Sequence, residues 1–194
     1  RINKIVEFEN YMYLATGFAI VKIDPIKNEV KDTYYPTNGN QAILDIAFRN
    51  DSIYAITDDR LYRGFLNNVA LADPTQWIID ARVPILPILS VNNYHEIEAI
   101  NDSLFLTLKV DGYGLDTIYS VRDNGIFPAV IEPFSMEFRS MNTVNQRLAI
   151  NYDEGAIIYN LDFSAYEAIG EYTFGGFSKI NAMVRSTYNY WFAD

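Results

Sequence analysis

The sequence predicts an all-β fold, a β-propeller of about four and a half four-stranded blades. Three observations carry this. First, one short pattern recurs five times: an apolar strand, an Asn or Asp turn, then a second aromatic or apolar strand. The copies are Phe8-Glu9-Asn10-Tyr11-Met12-Tyr13, Phe48-Arg49-Asn50-Asp51-Ser52-Ile53-Tyr54 and Ile100-Asn101-Asp102-Ser103-Leu104-Phe105. Weaker copies are Val144-Asn145-Gln146-Arg147-Leu148-Ala149 and Arg185-Ser186-Thr187-Tyr188-Asn189-Tyr190. With Tyr13, Tyr54, Phe105, Ala149 and Tyr190 as equivalent points, the steps are 41, 51, 44 and 41 residues, the period of a propeller blade. Second, no stretch places apolar residues at i, i+3, i+4 and i+7 over three turns, so no helix is expected beyond a turn near Ala70 to Pro74. Third, 15 Tyr and 12 Phe, with many Ile and Val, suit a pleated, half-buried surface.

The unit from Ala42 onward shows the grammar best. Ile43, Ile46 and Phe48 mark an inner strand, and Asn50-Asp51-Ser52 supplies the tight turn, because Asn and Asp tolerate left-handed backbone. Ile53 to Thr57 alternates as a strand does, Asp58-Asp59 turns the chain into Leu61 to Leu66, and Trp77-Ile78-Ile79 begins the outermost strand. Phe18 to Ile23 and Glu29 to Tyr35 complete the first unit. Leu115 to Val121 and Ile126 to Ile131 complete the third, and Ala156 to Leu161 with Tyr166 to Phe174 the fourth. The expected blades are residues 1–41, 42–91, 92–138 and 139–178, with an incomplete one at 179–194. Propellers avoid open edges by closing their ring, so the chain is expected to be an excerpt of a longer propeller protein.

Charge excludes one class of partner. Twenty-five acidic against 15 basic residues give a net charge of −10, the wrong sign for nucleic acid, whose affinity comes from Lys and Arg on phosphates. No segment is long and apolar enough to span a bilayer; the longest apolar run, Val83 to Leu89, holds two prolines and reads as an inter-blade connection. Without cysteine there are no disulfides and no thiolate metal sites.

Candidate chemistry is thin. His95 is the single histidine, expected as a blade-edge surface residue at the head of an inner strand. Ser90 or Ser103 with Asp102 could complete a triad in principle, but no G-x-S-x-G elbow surrounds a serine. A lone histidine has no second one with which to share a metal. Asp111-Gly112-Tyr113-Gly114-Leu115-Asp116 and Asp123-Asn124-Gly125 lack the twelve-residue calcium pattern and read as hairpin turns. Gly175-Gly176 precedes no helix, so no phosphate loop is expected. Paired acids at Asp58-Asp59 and Asp153-Glu154 could hydrolyse a glycosidic bond at the right separation, yet both fall where a blade needs a polar turn. The tyrosines could stack on sugars, but most sit at strand positions and are expected to fill blade cores. The expectation is therefore no catalytic, metal or cofactor site, no cofactor, and ligand-contacting positions that the sequence does not mark.

One resemblance is specific. Gly17-Phe18-Ala19-Ile20-Val21-Lys22-Ile23-Asp24, Glu29-Val30-Lys31-Asp32-Thr33-Tyr34-Tyr35 and Asn38-Gly39 closely resemble the N-terminal propeller of the PorZ family, from the type IX (Por) secretion system of Bacteroidota. The likeness continues through Ile53 to Asp58, Leu61-Tyr62-Arg63, Asn67-Asn68, Leu71-Ala72-Asp73 and Trp77; Tyr190-Trp191-Phe192-Ala193-Asp194 also looks like a strand-opening phrase of such propellers. Ala19 and Arg60 stand where the family usually has glycine at the start of the third strand. The resemblance implies a non-enzymatic component of an attachment complex on the outer face of the outer membrane, exported by a signal peptide of the parent protein. Implied partners are a sortase and outer-membrane barrel proteins, with anionic lipopolysaccharide as a glycolipid to handle or present. It brings no catalytic residue with it. Two other classes compete on a propeller. One is the periplasmic sensor of a hybrid two-component regulator, which usually repeats a tryptophan-glycine-threonine phrase absent here. The other is a carbohydrate-active enzyme, for which no acid/base constellation stands out.

Overall fold

The computed structural model describes residues 1–87, 92–110, 116–131, 138–152, 155–164, 166–170, 182–185 and 190–193. Its regular elements are strands, apart from one turn of 3-10 helix at Pro74–Gln76. The first sheet is β1 (Ile2–Phe8), β2 (Tyr11–Thr16), β3 (Ile20–Asp24) and β4 (Glu29–Tyr34), antiparallel in chain order. The second is β5 (Asp45–Arg49), β6 (Ser52–Ile56), β7 (Leu61–Phe65) and β8 (Ile78–Ile79). The third is β9 (Asn93–Ile100), β10 (Ser103–Lys109), β11 (Thr117–Arg122) and β12 (Gly125–Ile131). The fourth is β13 (Phe138–Val144), β14 (Arg147–Tyr152), β15 (Gly155–Tyr159) and β16 (Tyr166–Gly170). A two-stranded ladder of β17 (Ala182–Arg185) and β18 (Tyr190–Ala193) follows. These are propeller blades, as the repeat predicts. The first strands neighbour one another, β1 on β5, β5 on β9, β9 on β13 and β13 on β17, so they are the inner strands. Of the expected inner segment at Ile180 to Val184, residues 180 and 181 lie outside the described residues.

The recurring turn has a backbone cause. Asn10, Asn50, Asn101 and Asn145 all sit at positive φ, at 66°, 51°, 51° and 50°. They lie in loops of two residues that join inner to second strands, closed by Phe8–Tyr11, Arg49–Ser52, Ile100–Ser103 and Val144–Arg147 pairs. Asparagine bears this conformation far better than a branched residue. The turn of the fifth copy, residues 186–189, lies outside the described residues. Asn50→Val is expected to cost roughly 1–2 kcal/mol, read as a lower urea midpoint at unchanged m-value. Asn50→Gly should remain close to the parent.

The period-2 alternation of strands decides how the blades stick together. On β6, Ile53 and Ala55 face the first blade, in one cluster with Tyr13, Ala15, Ile20, Tyr34, Ile46 and Trp77. The alternate residues, Tyr54 and Ile56, face the third blade with Tyr94, Ile97, Leu104 and Leu106. On β10, Leu104 and Leu106 point back to the second blade while Phe105 joins Phe138, Leu148, Ile150 and Tyr152 of the fourth. β6 and β10 are thus buried on both faces, and the core between these blades is a series of inter-blade seams.

Several local expectations shift. Phe18 is exposed in the turn before β3, which begins at Ile20. There the Thr16 hydroxyl accepts the Ala19 N–H, and Ala19 does not take a positive φ, so alanine in place of glycine fits there without strain. Trp77 does not belong to the outer strand; it is buried in the first seam, and only Ile78 and Ile79 pair with β7. The helical turn forms at Pro74–Gln76 with Asp73 as its cap, its side chain accepting the Thr75 N–H, so it starts where the expected one at Ala70 to Pro74 ends. Pro84 to Pro87 runs without regular structure, tied by the Tyr94 hydroxyl donating to the Pro84 carbonyl.

Candidate functional site where the inner strands converge

The polar groups of greatest consequence lie on the inner strands, which otherwise read as apolar. In three of the four blades the inner strand carries a bulge near its start. In β9 the register passes from Leu106 opposite Ile97 to Leu108 opposite Tyr94, so His95 and Glu96 together oppose Thr107. The Thr107 hydroxyl accepts the Glu96 N–H at 2.8 Å, filling the ladder position that the bulge opens. Register shifts also occur between Ile2 and Lys4 in β1 and between Phe138 and Ser140 in β13. Bulges bend a strand and re-aim its side chains; here they turn polar side chains onto the next blade.

Each inner strand has a free edge, because its only ladder partner is the second strand of its own blade. At the second, third and fourth blades, side chains from the preceding blade reach that edge. The Asn3 side-chain amide donates to the Ile43 carbonyl at 2.8 Å. The Asp45 carboxylate accepts the Ile97 N–H of the third blade at 3.2 Å and its neighbour Ile46 N–H at 2.7 Å. Glu96 accepts the Met141 N–H of the fourth blade at 2.5 Å, and Glu98 accepts the Thr143 hydroxyl. Asp45 and Glu96 both stand five residues before the turn asparagine of their blade, and the N–H groups they take, Ile97 and Met141, both stand four before. The device is therefore one repeated contact, and sequence reasoning missed it. Its signal was present as carboxylates inside apolar strands, Asp45-Ile46-Ala47-Phe48 and Glu96-Ile97-Glu98-Ala99-Ile100.

Electrostatics concentrate here. The Lys4 ammonium lies 3.5 Å from Asp45. Burial alone would depress it, but Asp45, Glu96 and Glu98 together hold it above its usual value. Burial pushes the Asp45 carboxyl up to about 6, opposed by Lys4 and its two N–H donors. Burial likewise pushes Glu96 up to about 7, opposed by Lys4 and reinforced by Asp45. Glu98 is raised by burial too, with the Thr143 hydrogen bond opposing.

His95 does not lie on a surface edge. The bulge carries it half-buried against the inner strands, its ring edge-on to Phe138 at 6.4 Å between centroids. Burial, then the charges of Lys109 and Lys4, hold it down at about 4, so it is neutral near pH 7. Its Nδ1 has no hydrogen-bond partner among the described residues. Asp102 lies in the turn beyond β9 and Ser103 opens β10 opposite Ile100, roughly 16 Å along the strand from His95, so no triad forms with either. Ser90 falls outside the described residues, as do residues 111–115, 153–154 and 175–176. Asp59 is a turn residue, accepting Gln41 Nε2, Thr57 Oγ1 and the Arg60 guanidinium. Asp116 accepts the Val110 N–H, and Gly125 has the positive φ of its hairpin turn, at 134°. Tyr13, Tyr34, Tyr54, Tyr62, Tyr94 and Tyr152 are buried, as core residues should be, whereas Tyr166 is exposed. Among the described residues, no three His, Asp or Glu side chains are grouped to hold a metal ion.

Residues 1–78 match the family model of the PorZ N-terminal β-propeller domain of the type IX secretion system, in agreement with the resemblance read from the same stretch. Among curated proteins no sequence matches significantly. The fold is similar to the solved structure of PorZ, an essential bacterial surface component of the type IX secretion system of Porphyromonas gingivalis, with a TM-score of 0.69 at 16% identity. That match covers 99% of this chain and 23% of the other, so the chain spans about a quarter of that protein's length. The extracellular domain of a putative hybrid two-component system protein from B. thetaiotaomicron is similar with a TM-score of 0.62 at 12% identity, covering 94% of this chain and 23% of that one. The β-propeller domain of Cps50 (Swd1) from Myceliophteria thermophila follows at 0.55 and 7%, covering 94% and 60%. At these identities the structural likenesses establish the fold alone.

Proposed function

We propose that this propeller is part of a non-enzymatic component of the type IX secretion machinery, acting at the cell surface as a scaffold or ligand-presenting module. The family match over residues 1–78 carries the reading. The parent protein works on the outer face of the outer membrane, in an attachment complex with a sortase and outer-membrane barrel proteins. That complex joins cargo to anionic lipopolysaccharide, which the propeller component presents. The chain itself acts through binding: the inner-strand carboxylates are committed to inter-blade hydrogen bonds, and His95 is neutral and half-buried. Among the described residues no helix is long and apolar enough to cross a membrane, which is consistent with attachment through partners. The net charge of −10 disfavours nucleic acid and unaided adsorption to an anionic surface.

The test is deletion of the parent gene in the source organism, with pull-down of the intact protein. Cargo should be mislocalised or lack its glycolipid, and the pull-down should recover a sortase and outer-membrane barrels. His95→Ala should leave secretion intact. A second reading, the extracellular sensor of a two-component system, draws on the TM-score of 0.62 to such a domain. Recovery of a histidine-kinase complex, with cargo secretion unaffected by deletion, would select it.

A further inference from the structure

We propose that the converging inner strands form a proton-linked latch, in which Asp45 and Glu96 hold successive blades together by accepting the backbone N–H groups of Ile97 and Met141. The geometry sets up an imbalance of charge. From β1 comes Lys4, and from β5 comes Asp45; from β9 come Glu96 and Glu98, beside the neutral His95. On the flanking strands, β6 contributes the titratable Tyr54 and no charge, and β10 contributes Lys109 next to His95. β13 brings the Met141 N–H and the Thr143 hydroxyl, with Arg139 at its start. Arg49 and Glu7 stand toward the far, turn ends of β5 and β1.

Three carboxylates thus crowd one ammonium at 3.5 Å from the nearest of them. Carboxylates taken out of water resist ionising, and like charges beside them add to that cost, so the site retains protons above the usual carboxylate range. A carboxyl that is neutral still accepts an N–H through its carbonyl oxygen. The latch therefore survives protonation, and what protonation removes is first the cost of burying these charges and second the repulsion that Asp45 and Glu96 feel from their neighbouring carboxylates. The direction of the linkage follows. Folded-state values raised to about 6 and about 7 mean that the native state binds more protons than the unfolded chain between about pH 4 and 7.5. The stabilisation is fully present below the unfolded carboxylate range and is lost as pH rises through these values. The inter-blade amides should open more readily on the alkaline side.

Hydrogen exchange of the full chain at pH 5.5 and 8.0, corrected for intrinsic rates, reads this at the amides of Ile97 and Met141. Protection at both is expected to fall at least tenfold across that range, since each unit by which a pKa is displaced corresponds to a tenfold change in an equilibrium constant. The Asp45→Asn, Glu96→Gln double variant should remove most of that dependence, and Lys4→Met should steepen it. Should the double variant not fold, Glu96→Gln and Glu98→Gln singly must each flatten the profile. Protection independent of pH in the parent, or an undiminished slope in the folded variants, would overturn the latch.

Discussion

Trp77→Ala is expected to lower the unfolding free energy by roughly 3–5 kcal/mol, the range for truncating a large buried aromatic. Trp77 fills the seam between the first two blades, 8% exposed, with Tyr34 at 6.5 Å between ring centroids. Its indole N–H donates to the Leu71 carbonyl at 3.0 Å, inside the Asn67–Gln76 excursion. Truncation therefore opens a cavity and also leaves that buried carbonyl without its partner. The backbone has been fitted to the ring: a Cβ on Gly64 would meet Trp77 ring carbons at 3.2 Å and Leu71 Cδ1 at 2.6 Å. At roughly 2–4 °C per kcal/mol for a chain of this size, the midpoint should drop by about 10 °C. Trp77→Phe should lose less, keeping part of the volume while giving up the hydrogen bond. Combining Trp77→Ala with Gly64→Ala should cost less than the sum, because the added methyl enters the vacated space. Differential scanning calorimetry checks all three; a loss below about 1 kcal/mol for Trp77→Ala would contradict a packed seam.

Asp80→Ala should cost about 3 kcal/mol, the lower end for removing one partner of a buried pair. Asp80 is buried and takes both arms of the Arg82 guanidinium, at 2.8 Å from Nε and 2.6 Å from Nη2. It also accepts the Arg82 N–H at 3.1 Å, while the guanidinium lies against the Tyr54 ring at 5.8 Å. Removing the carboxylate strands a mostly covered cation at the start of the connection to the third blade. Burial alone would raise the Asp80 carboxyl, but the Arg82 hydrogen bonds and charge prevail and hold it below its ordinary value. The sign is then opposite to that of the axial carboxylates. Asp80 contributes stability above the ordinary aspartate range near 4, and that stability is lost as pH falls through its folded value. Between pH 5 and 3 the parent should lose more stability than Asp80→Ala does. Equilibrium urea unfolding at the two pH values measures this, and equal acid losses in both proteins would contradict the pairing.

Acid losses at Asp80 and alkaline losses at the axial cluster together shape one profile. The parent should be most stable near pH 5, below the neutral range. Removing Asp80 moves the optimum to lower pH, and neutralising Asp45 and Glu96 moves it higher.

The repeating blades, the inner hairpins and the alternation that builds the seams were legible along the chain. These depend on neighbours in the chain: Asn10, Asn50, Asn101 and Asn145 meet a backbone demand within a two-residue loop, and Ile53 and Tyr54 point opposite ways wherever β6 is placed. The family resemblance was legible for the same reason, since it rests on contiguous phrases, most of them within residues 1–78 where the family model also matches. Tertiary structure decided the rest. Trp77 reads as the start of a strand in isolation and becomes a seam residue only when Tyr34 and Gly64 arrive beside it. His95 reads as an edge residue until a bulge, set by Thr107 twelve residues on, turns it inward. Lys4, Asp45 and Glu96 lie 41 and 51 residues apart, and no nearby stretch of chain reveals that they belong together. They meet because rotation about the propeller axis brings each inner strand to the free edge of the next, where unpaired backbone N–H groups require acceptors.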